Sequence, residues 1–181
     1  MSSDEAFATD HRLTGEQVAA LLDRLAPSTR LLWLGGGWGV DALVGRETRP
    51  HGDLDLLVDA DSLPAVLDLL AADGFVPVQD WLPVRIEVAH PDGRRVDLHP
   101  AHSRPDGSAV QAGLNGTEFH YPAGCTTTGT VAGREVTCLT AAQQLTFREG
   151  FTWRPVDHHD VALLRAHLGD ADRPAGRPHS S

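Results

Sequence analysis

The sequence has little positive charge, few cysteines and no long apolar segment. Lys and Arg total 15 against 25 Asp and Glu, which gives a formal net charge of -10 with His neutral. A nucleic-acid-binding surface needs clustered Lys and Arg to displace counterions, so this balance argues against a nucleic-acid partner. An acidic surface suits a cationic small molecule better, although in most proteins it serves solubility.

Neither export nor membrane insertion is indicated. Cys125 and Cys138 do not have the spacing of metal ligands. Residues 1–10 are polar and acidic, without the apolar core of a signal peptide. No apolar run approaches the length needed to span a membrane. We therefore expect a cytoplasmic protein with reduced thiols and no membrane partner.

The chain of 181 residues is long enough for one domain with its own core. Residues 1–12 are typical of a disordered polar leader, and residues 13–168 form the expected domain. Residues 169–181, rich in Asp, Arg, Pro, Gly and Ser, predict a disordered tail. Strand-like and helix-like segments alternate along the domain, which predicts a mixed α/β fold.

Local signals predict most of the elements. Thr14 and Gln17 form a capping box before a helix that ends near Pro27. Short apolar segments predict strands, and helical spacing with capping residues predicts helices. The predicted strands cover 31–34, 53–58, 75–78, 84–89, 94–98 and 135–139. The predicted helices cover 38–44, closed by Gly45, a segment capped by Asp61 or Ser62 with Pro64 in its first turn, a segment capped by Thr140, and a segment from Val156 or Asp157 to 168.

Asp53 and Asp55 are the first candidates for chemistry. On a strand, side chains two residues apart point to the same face, while Leu54, Leu56 and Val58 would face the core. Two adjacent carboxylates repel each other unless a cation lies between them, and hard oxygen ligands suit Mg²⁺. An isolated pair of this kind also fits a solvated strand face.

Asp97 lies between Val96 and Leu98 in a second predicted strand. Alone it fits an exposed strand position. If its strand neighbours that of Asp53 and Asp55, the carboxylates would share one sheet face and could hold metal ions for an in-line phosphoryl displacement.

The glycines at 35–37 follow a predicted strand and precede a predicted helix. Backbone without side chains can approach a phosphate closely, and the N–H groups of a helix start can bind it. A simple tight turn explains the glycines equally well. The segment lacks the Lys and Ser or Thr of a P-loop and does not follow the dinucleotide pattern.

Together, the glycine turn, the paired aspartates and the later Asp97 resemble the nucleotidyltransferase superfamily typified by DNA polymerase β. The segment 36–55, GGWGVDALVGRETRPHGDLD, is similar to the small antibiotic nucleotidyltransferases, which include lincosamide enzymes and aminoglycoside 2″-adenylyltransferases. The similarity continues at 95–100, 136–141 and 159–164, and so covers roughly residues 14–168. It implies a mixed twisted sheet flanked by helices, with a small C-terminal helical part.

The resemblance implies transfer of a nucleoside monophosphate, AMP from ATP, to a hydroxyl of a small and cationic acceptor, a lincosamide or an aminoglycoside. Asp53 and Asp55 would hold Mg²⁺, and Asp97 would bind a second ion or act as general base. Gly36 and Gly37 would bind the β and γ phosphates through their amides. Trp38 takes the place of a Ser found in polymerase-like members.

Further residues are expected at this site. Arg49 and His51 precede the aspartates and could contact the nucleotide, although a loop Arg also fits a surface ion pair. The acceptor candidates could equally be core or rim side chains. They are Trp81, Glu87, Tyr121 and His159.

Two alternatives remain open. His99 and His102 suggest a zinc site, for which no third ligand has fitting spacing. The fold could also serve as a biosynthetic enzyme of another class or as a binding protein without nucleotidyl transfer. We expect a monomer or a homodimer.

Overall fold

The computed structural model describes residues 12–149 and 152–171. The predicted leader, except for Arg12, and the predicted tail from residue 172 onward lie outside the described residues. Within the described ranges, no helix is both long and apolar enough to cross a membrane. The helices are α1 (Gly15–Leu25), α2 (Gly36–Val44), α3 (Leu63–Ala72), α4 (Ala141–Thr146) and α5 (Pro155–Ala171). The strands are β1 (Leu32–Leu34), β2 (Leu54–Asp59), β3 (Val76–Trp81), β4 (Arg85–Ala89), β5 (Arg95–Ser103), β6 (Ala109–Ala112), β7 (Glu118–Tyr121), β8 (Thr126–Val131) and β9 (Arg134–Leu139).

The strands form one mixed sheet in the order β3-β4-β5-β2-β1-β9-β8, with β6 paired to β5 and β7 to β6. The pairs β2–β5 and β1–β9 are parallel, whereas the other pairs are antiparallel. Helices pack on this sheet, which confirms the predicted mixed α/β fold. The parallel pair β2–β5 lies inside the sheet and brings two distant parts of the sequence side by side.

Alternating residues of β2 point to opposite faces of the sheet, as the period of a strand requires. Leu54, Leu56 and Val58 are fully buried in the main core, as predicted. Leu57 points the other way, into a second cluster that includes Tyr121. The odd-numbered side chains of β2, Asp55 among them, therefore share the face of this second cluster.

Several local predictions are confirmed. Thr14 and Gln17 form the capping box of α1. Gly45 ends α2 in the left-handed conformation with φ of 81°. Thr140 accepts a hydrogen bond from the Gln143 N–H at the start of α4.

Other predictions were wrong in their limits. α2 begins at Gly36 instead of 38, and Asp53 lies just before β2. Ser62 occupies the N-cap position of α3, but its side chain makes no capping hydrogen bond and instead donates to Asp59. Strand β5 continues to Ser103, because β6 extends the pairing beyond β2. Helix α5 reaches Ala171, beyond the predicted limit at 168.

A glycine in β8 sets how closely α2 can approach the sheet. A Cβ added at Gly129 would lie 2.7 Å from the carbonyl oxygen of Ala42 in α2 and 2.8 Å from the Cys138 sulfur. The first of these atoms belongs to the helix backbone, so it cannot yield by a side-chain rotation. Any larger residue at this position must push α2 away from the sheet.

We expect Gly129→Ala to lower the free energy of unfolding by about 1–3 kcal/mol, because the added methyl group overpacks a closed contact. Chemical denaturation followed by circular dichroism measures the effect. Gly169→Ala in α5 is the matched control, since its added Cβ meets nothing within 4 Å among the described residues. Equal stability of the two variants would contradict the proposed packing constraint.

Candidate active site

The predicted carboxylates meet at the start of the parallel pair β2–β5. Asp55 is the second residue of β2, and it stands directly opposite Asp97 in the register of β5. Asp53 precedes β2 by one residue. The condition set by the sequence, that the strand of Asp97 neighbours that of the aspartate pair, is therefore met.

A third side chain joins Asp55 and Asp97. Among the described residues, Asp55, Asp97 and His99 offer ligand atoms that all lie within 4.8 Å of one another. The Nε2 atom of His99 lies 3.2 Å from Oδ1 of Asp55 and 3.6 Å from Oδ2 of Asp97. Asp53 is not part of this tight group and lies at its exposed edge. His102 is exposed farther along β5, so the two histidines do not converge on one zinc site.

The charges of this group perturb its acid–base behaviour. Loss of hydration, followed by repulsion from Asp55, Asp97 and Glu87, raises the pKa of Asp53 to about 6. Burial also raises the pKa of Asp97, with a further contribution from Asp55 that His99 and Arg85 oppose. For His99, burial lowers the pKa, but the hydrogen bond and charge of Asp55 and the charge of Asp97 outweigh it, and the net pKa is raised.

Asp97 is buried and is paired through only one of its carboxylate oxygens among the described residues. Its side chain is 5% exposed and its Oδ2 atom accepts a hydrogen bond from Arg85. Its Oδ1 atom is buried and has no hydrogen-bond partner within the described part of the chain. A buried oxygen without a partner is costly, and mutually repelling carboxylates bind a cation readily. Hard oxygen ligands of this kind fit Mg²⁺.

The two glycines at the start of α2 allow the helix to touch these side chains. Gly36 has φ of 56°, and an added Cβ would overlap the carboxylate of Asp55. A Cβ at Gly37 would overlap the His51 ring and the Arg49 guanidinium. The first N–H groups of a helix have no partner within it, so the start of α2 presents donors beside the carboxylates.

The residues predicted to contact the nucleotide lie beside this turn but bind other parts of the protein. Trp38 is 2% exposed, and its ring contacts that of His51 with centroids 4.6 Å apart and a tilt of 44° between the rings. Nε2 of His51 lies 2.5 Å from Oδ2 of the buried Asp41. Arg49 donates to both oxygens of Asp160 in α5, at 2.9 and 2.8 Å. Nucleotide binding by Trp38, Arg49 and His51 remains a prediction.

The acceptor candidates do not form one cluster. Glu87 stands opposite Asp97 in β4, and its carboxylate pairs with Arg95. Trp81 is 47% exposed, and its ring centroid lies 4.5 Å from Cζ of Arg85. His159 is exposed on α5 and contacts Thr48.

Tyr121 faces a different part of the site. It is buried on β7 and lines a cavity of about 340 Å³. The cavity extends from Gly36 and Asp55 to the aromatic rings of Phe119 and Phe147. A small organic group could therefore lie directly beside the carboxylates.

Sequence reasoning missed four residues that hold the site together. Arg85, Asp41, Asp160 and Gln111 all contact a predicted residue or His99. Asp41 left a local signal, since it is a charged residue inside the apolar segment of α2, and Asp160 lies in the segment 159–164 that carries the family similarity. Arg85 and Gln111 each reach a residue 12 positions away on a neighbouring strand, and Arg49 reaches Asp160 across 111 positions, so these contacts depend on the fold.

Comparisons with known proteins show which proteins this chain resembles. A lincosamide resistance protein of Staphylococcus haemolyticus is 29% identical over 157 residues, which cover 87% of this chain and 98% of the relative. The crystal structure of the lincosamide antibiotic adenylyltransferase LnuA with bound lincomycin superposes with a TM-score of 0.79 at 29% identity, covering 87% of this chain and 99% of that one.

The fold also matches a more distant structure. ANT(2″)-Ia in complex with adenylyl-2″-tobramycin has a TM-score of 0.68 at 20% identity, covering 87% of this chain and 90% of that one. The family model described as aminoglycoside-2″-adenylyltransferase matches residues 17–164, which include every residue of the carboxylate group. This chain belongs to the aminoglycoside-2″-adenylyltransferase family.

Proposed function

We propose that this protein transfers a nucleoside monophosphate, AMP from ATP, to a hydroxyl group of a lincosamide or aminoglycoside antibiotic. The observation that carries the proposal is the parallel register that sets Asp55 opposite Asp97, beside the glycine start of α2. Membership of a nucleotidyltransferase family supports the same reaction.

We assign the metal ions to the carboxylates. Asp53 and Asp55 would hold one Mg²⁺, and Asp97 would contact a second or receive the acceptor's proton. Bound ions would neutralise the phosphate charge that develops during an in-line displacement. The partnerless Oδ1 atom of Asp97, judged among the described residues, supports this assignment.

The protein's own groups would position the reactants. The amides of Gly36 and Gly37 would bind the β and γ phosphates at the start of α2. Arg49 and His51 would hold the glycine turn at the start of α2 in place, since both side chains pack against Gly37. The acceptor oxygen forms a bond to the α-phosphorus, the bond to the β-phosphate oxygen breaks, and pyrophosphate leaves. Where Asp97 acts as the general base, the hydroxyl proton passes to its carboxylate.

Among acceptors, the comparisons favour a lincosamide. The lincosamide resistance relative matches 87% of this chain, whereas an Escherichia coli 2″-aminoglycoside nucleotidyltransferase matches 22% of it, over 42 residues. The aromatic cavity beside Asp55 suits an acceptor with an apolar part. The net charge of -10 suits one that also carries an amine.

The proposed use of ATP as co-substrate supports a cytoplasmic location.

Asp53, Asp55 and Asp97 come from one chain, so the carboxylate group is complete in a monomer and in a homodimer alike.

Removing a carboxylate charge should abolish transfer. We expect Asp53→Asn, Asp55→Asn and Asp97→Asn each to lower the rate of pyrophosphate release by at least about 100-fold, because transition-state charge loses its preorganised partner. The assay contains Mg²⁺, ATP and a lincosamide. The control is Asp61→Asn, whose carboxylate is 80% exposed and should be dispensable. Full activity in both Asp53→Asn and Asp97→Asn would exclude the metal mechanism.

Proton and metal binding should compete at Asp53. The pKa of Asp53 is raised from 3.8 to about 6 in the folded chain, so protonation of this carboxylate stabilises the fold. The stability gained from the bound proton is lost as pH rises from about 4 through 6. Mg²⁺ replaces the proton, so the melting-temperature increase caused by Mg²⁺ should grow as pH rises through about 6. Thermal melts from pH 5 to 8 measure this. An Mg²⁺ effect independent of pH, or unchanged in Asp53→Asn, would contradict it.

The acceptor class can be tested by product mass. We expect Mg²⁺ and ATP to convert a lincosamide to its AMP adduct faster than an aminoglycoside, measured at equal concentrations by mass spectrometry. Ethanol and a sugar without an amine serve as acceptor controls. A faster reaction with the aminoglycoside would reverse the assignment, and an adduct on neither antibiotic would exclude both.

A further inference from the structure

A series of hydrogen bonds runs from the protein interior to the carboxylate group. The Tyr121 hydroxyl donates to Oε1 of Gln111 at 2.7 Å. Nε2 of Gln111 lies 3.1 Å from the Val84 carbonyl oxygen and 3.2 Å from Nδ1 of His99. Gln111 and Tyr121 are both only 4% exposed, so these bonds lie between buried side chains.

The Val84 carbonyl fixes the direction of this series. A carbonyl oxygen can only accept a hydrogen bond, so the atom of Gln111 beside it must be the amide nitrogen. The amide oxygen then faces Tyr121, whose hydroxyl donates to it. Burial raises the pKa of Tyr121, so this hydroxyl keeps its proton. Every polar atom of the Gln111 side chain thus has a partner.

The second hydrogen of the Gln111 amide determines the tautomer of His99. It points at Nδ1, which must accept it and therefore carries no hydrogen in the neutral ring. The ring hydrogen is then on Nε2, which faces Asp55 at 3.2 Å and Asp97 at 3.6 Å. In this state His99 donates a hydrogen bond to a carboxylate and has no lone pair available for a metal ion.

We propose that Gln111 is a positioning residue that holds His99 as a hydrogen-bond donor to Asp55 and so excludes it from metal coordination. A metal-bound histidine normally donates its other N–H to an acceptor, whereas here Nδ1 meets a donor. The carboxylates therefore bind the ion without an imidazole ligand. Oxygen ligands suit Mg²⁺ and Mn²⁺, while an added imidazole would suit Zn²⁺. The choice of ion rests on the proposed function, but the tautomer does not.

Long-range ¹H–¹⁵N NMR of the metal-free chain tests the tautomer directly, because protonated and bare ring nitrogens have distinct chemical shifts. The spectrum is recorded at a pH where the ring is neutral, and His99 is assigned by the signal lost in His99→Gln. We expect the hydrogen on Nε2. A hydrogen on Nδ1 would overturn the proposal, whatever the enzyme's activity.

A change in ion preference tests the consequence. In Gln111→Glu, a carboxylate faces Nδ1 and should draw the ring hydrogen to that side, which frees Nε2. We expect Zn²⁺ to bind about tenfold or more tightly than to the unaltered chain, measured by calorimetry, with a smaller change for Mg²⁺. The double variant Gln111→Glu with His99→Gln should lose this gain. A gain that persists without the imidazole, or no gain although the tautomer has moved, would overturn the role assigned to Gln111.

These outcomes separate the inference from the proposed function. If transfer activity is absent but His99 carries its hydrogen on Nε2, the proposed reaction fails and the positioning role stands. If transfer activity is present but His99 carries its hydrogen on Nδ1, the proposed reaction stands and the positioning role of Gln111 fails. Should Gln111→Glu fail to fold, the spectrum of the unaltered chain still decides between the two tautomers.

Discussion

Repulsion between two carboxylates is the constraint around which this protein is arranged. The parallel register of β2 and β5 holds Asp55 and Asp97 opposite each other, and burial of Asp97 prevents water from screening the charge. Arg85 and His99 offset part of the repulsion from within the protein. The remaining negative charge and a buried oxygen without a partner among the described residues favour a divalent cation. Stability and chemistry thus conflict here, as they do in many active sites.

The surrounding structure brings phosphate-binding groups to this charge. Helix α2 can start against Asp55 only because residues 36 and 37 have no side chains. Its position is fixed from two other directions. Gly129 lets the helix lie against β8, and the Arg49 bridge to Asp160 ties the loop after the helix to α5. Because the start of α2 lies against Asp55, a phosphate bound there would be a neighbour of a metal ion bound by the carboxylates.

The sequence predicted what depends on local patterns and missed what depends on distant pairing. Capping at Thr14 follows from nearby residues and was correct. That the strand of Asp97 neighbours that of the aspartate pair was stated only as a condition, which the resemblance supported, and the register of β2 and β5 meets it. Strands β6 and β7 have only four residues each, too few to give a clear strand pattern in the sequence, and they were not predicted. Gln111 lies on β6, and its contact with His99 therefore could not be foreseen. His99 itself could have been placed, since it lies two residues after Asp97 on the same strand face.

The central claim is that these carboxylates hold the metal ion that contacts the nucleotide phosphates beside α2. The most direct test is a crystal structure of the protein with Mn²⁺ and a non-hydrolysable ATP analogue, with Mn²⁺ located by anomalous scattering. The account predicts an Mn²⁺ peak within ligand distance of Asp55 and Asp97 and of a phosphate oxygen, with further phosphate oxygens at the amides of Gly36 and Gly37. A nucleotide bound elsewhere, or bound at α2 with Mn²⁺ away from both carboxylates, would contradict it.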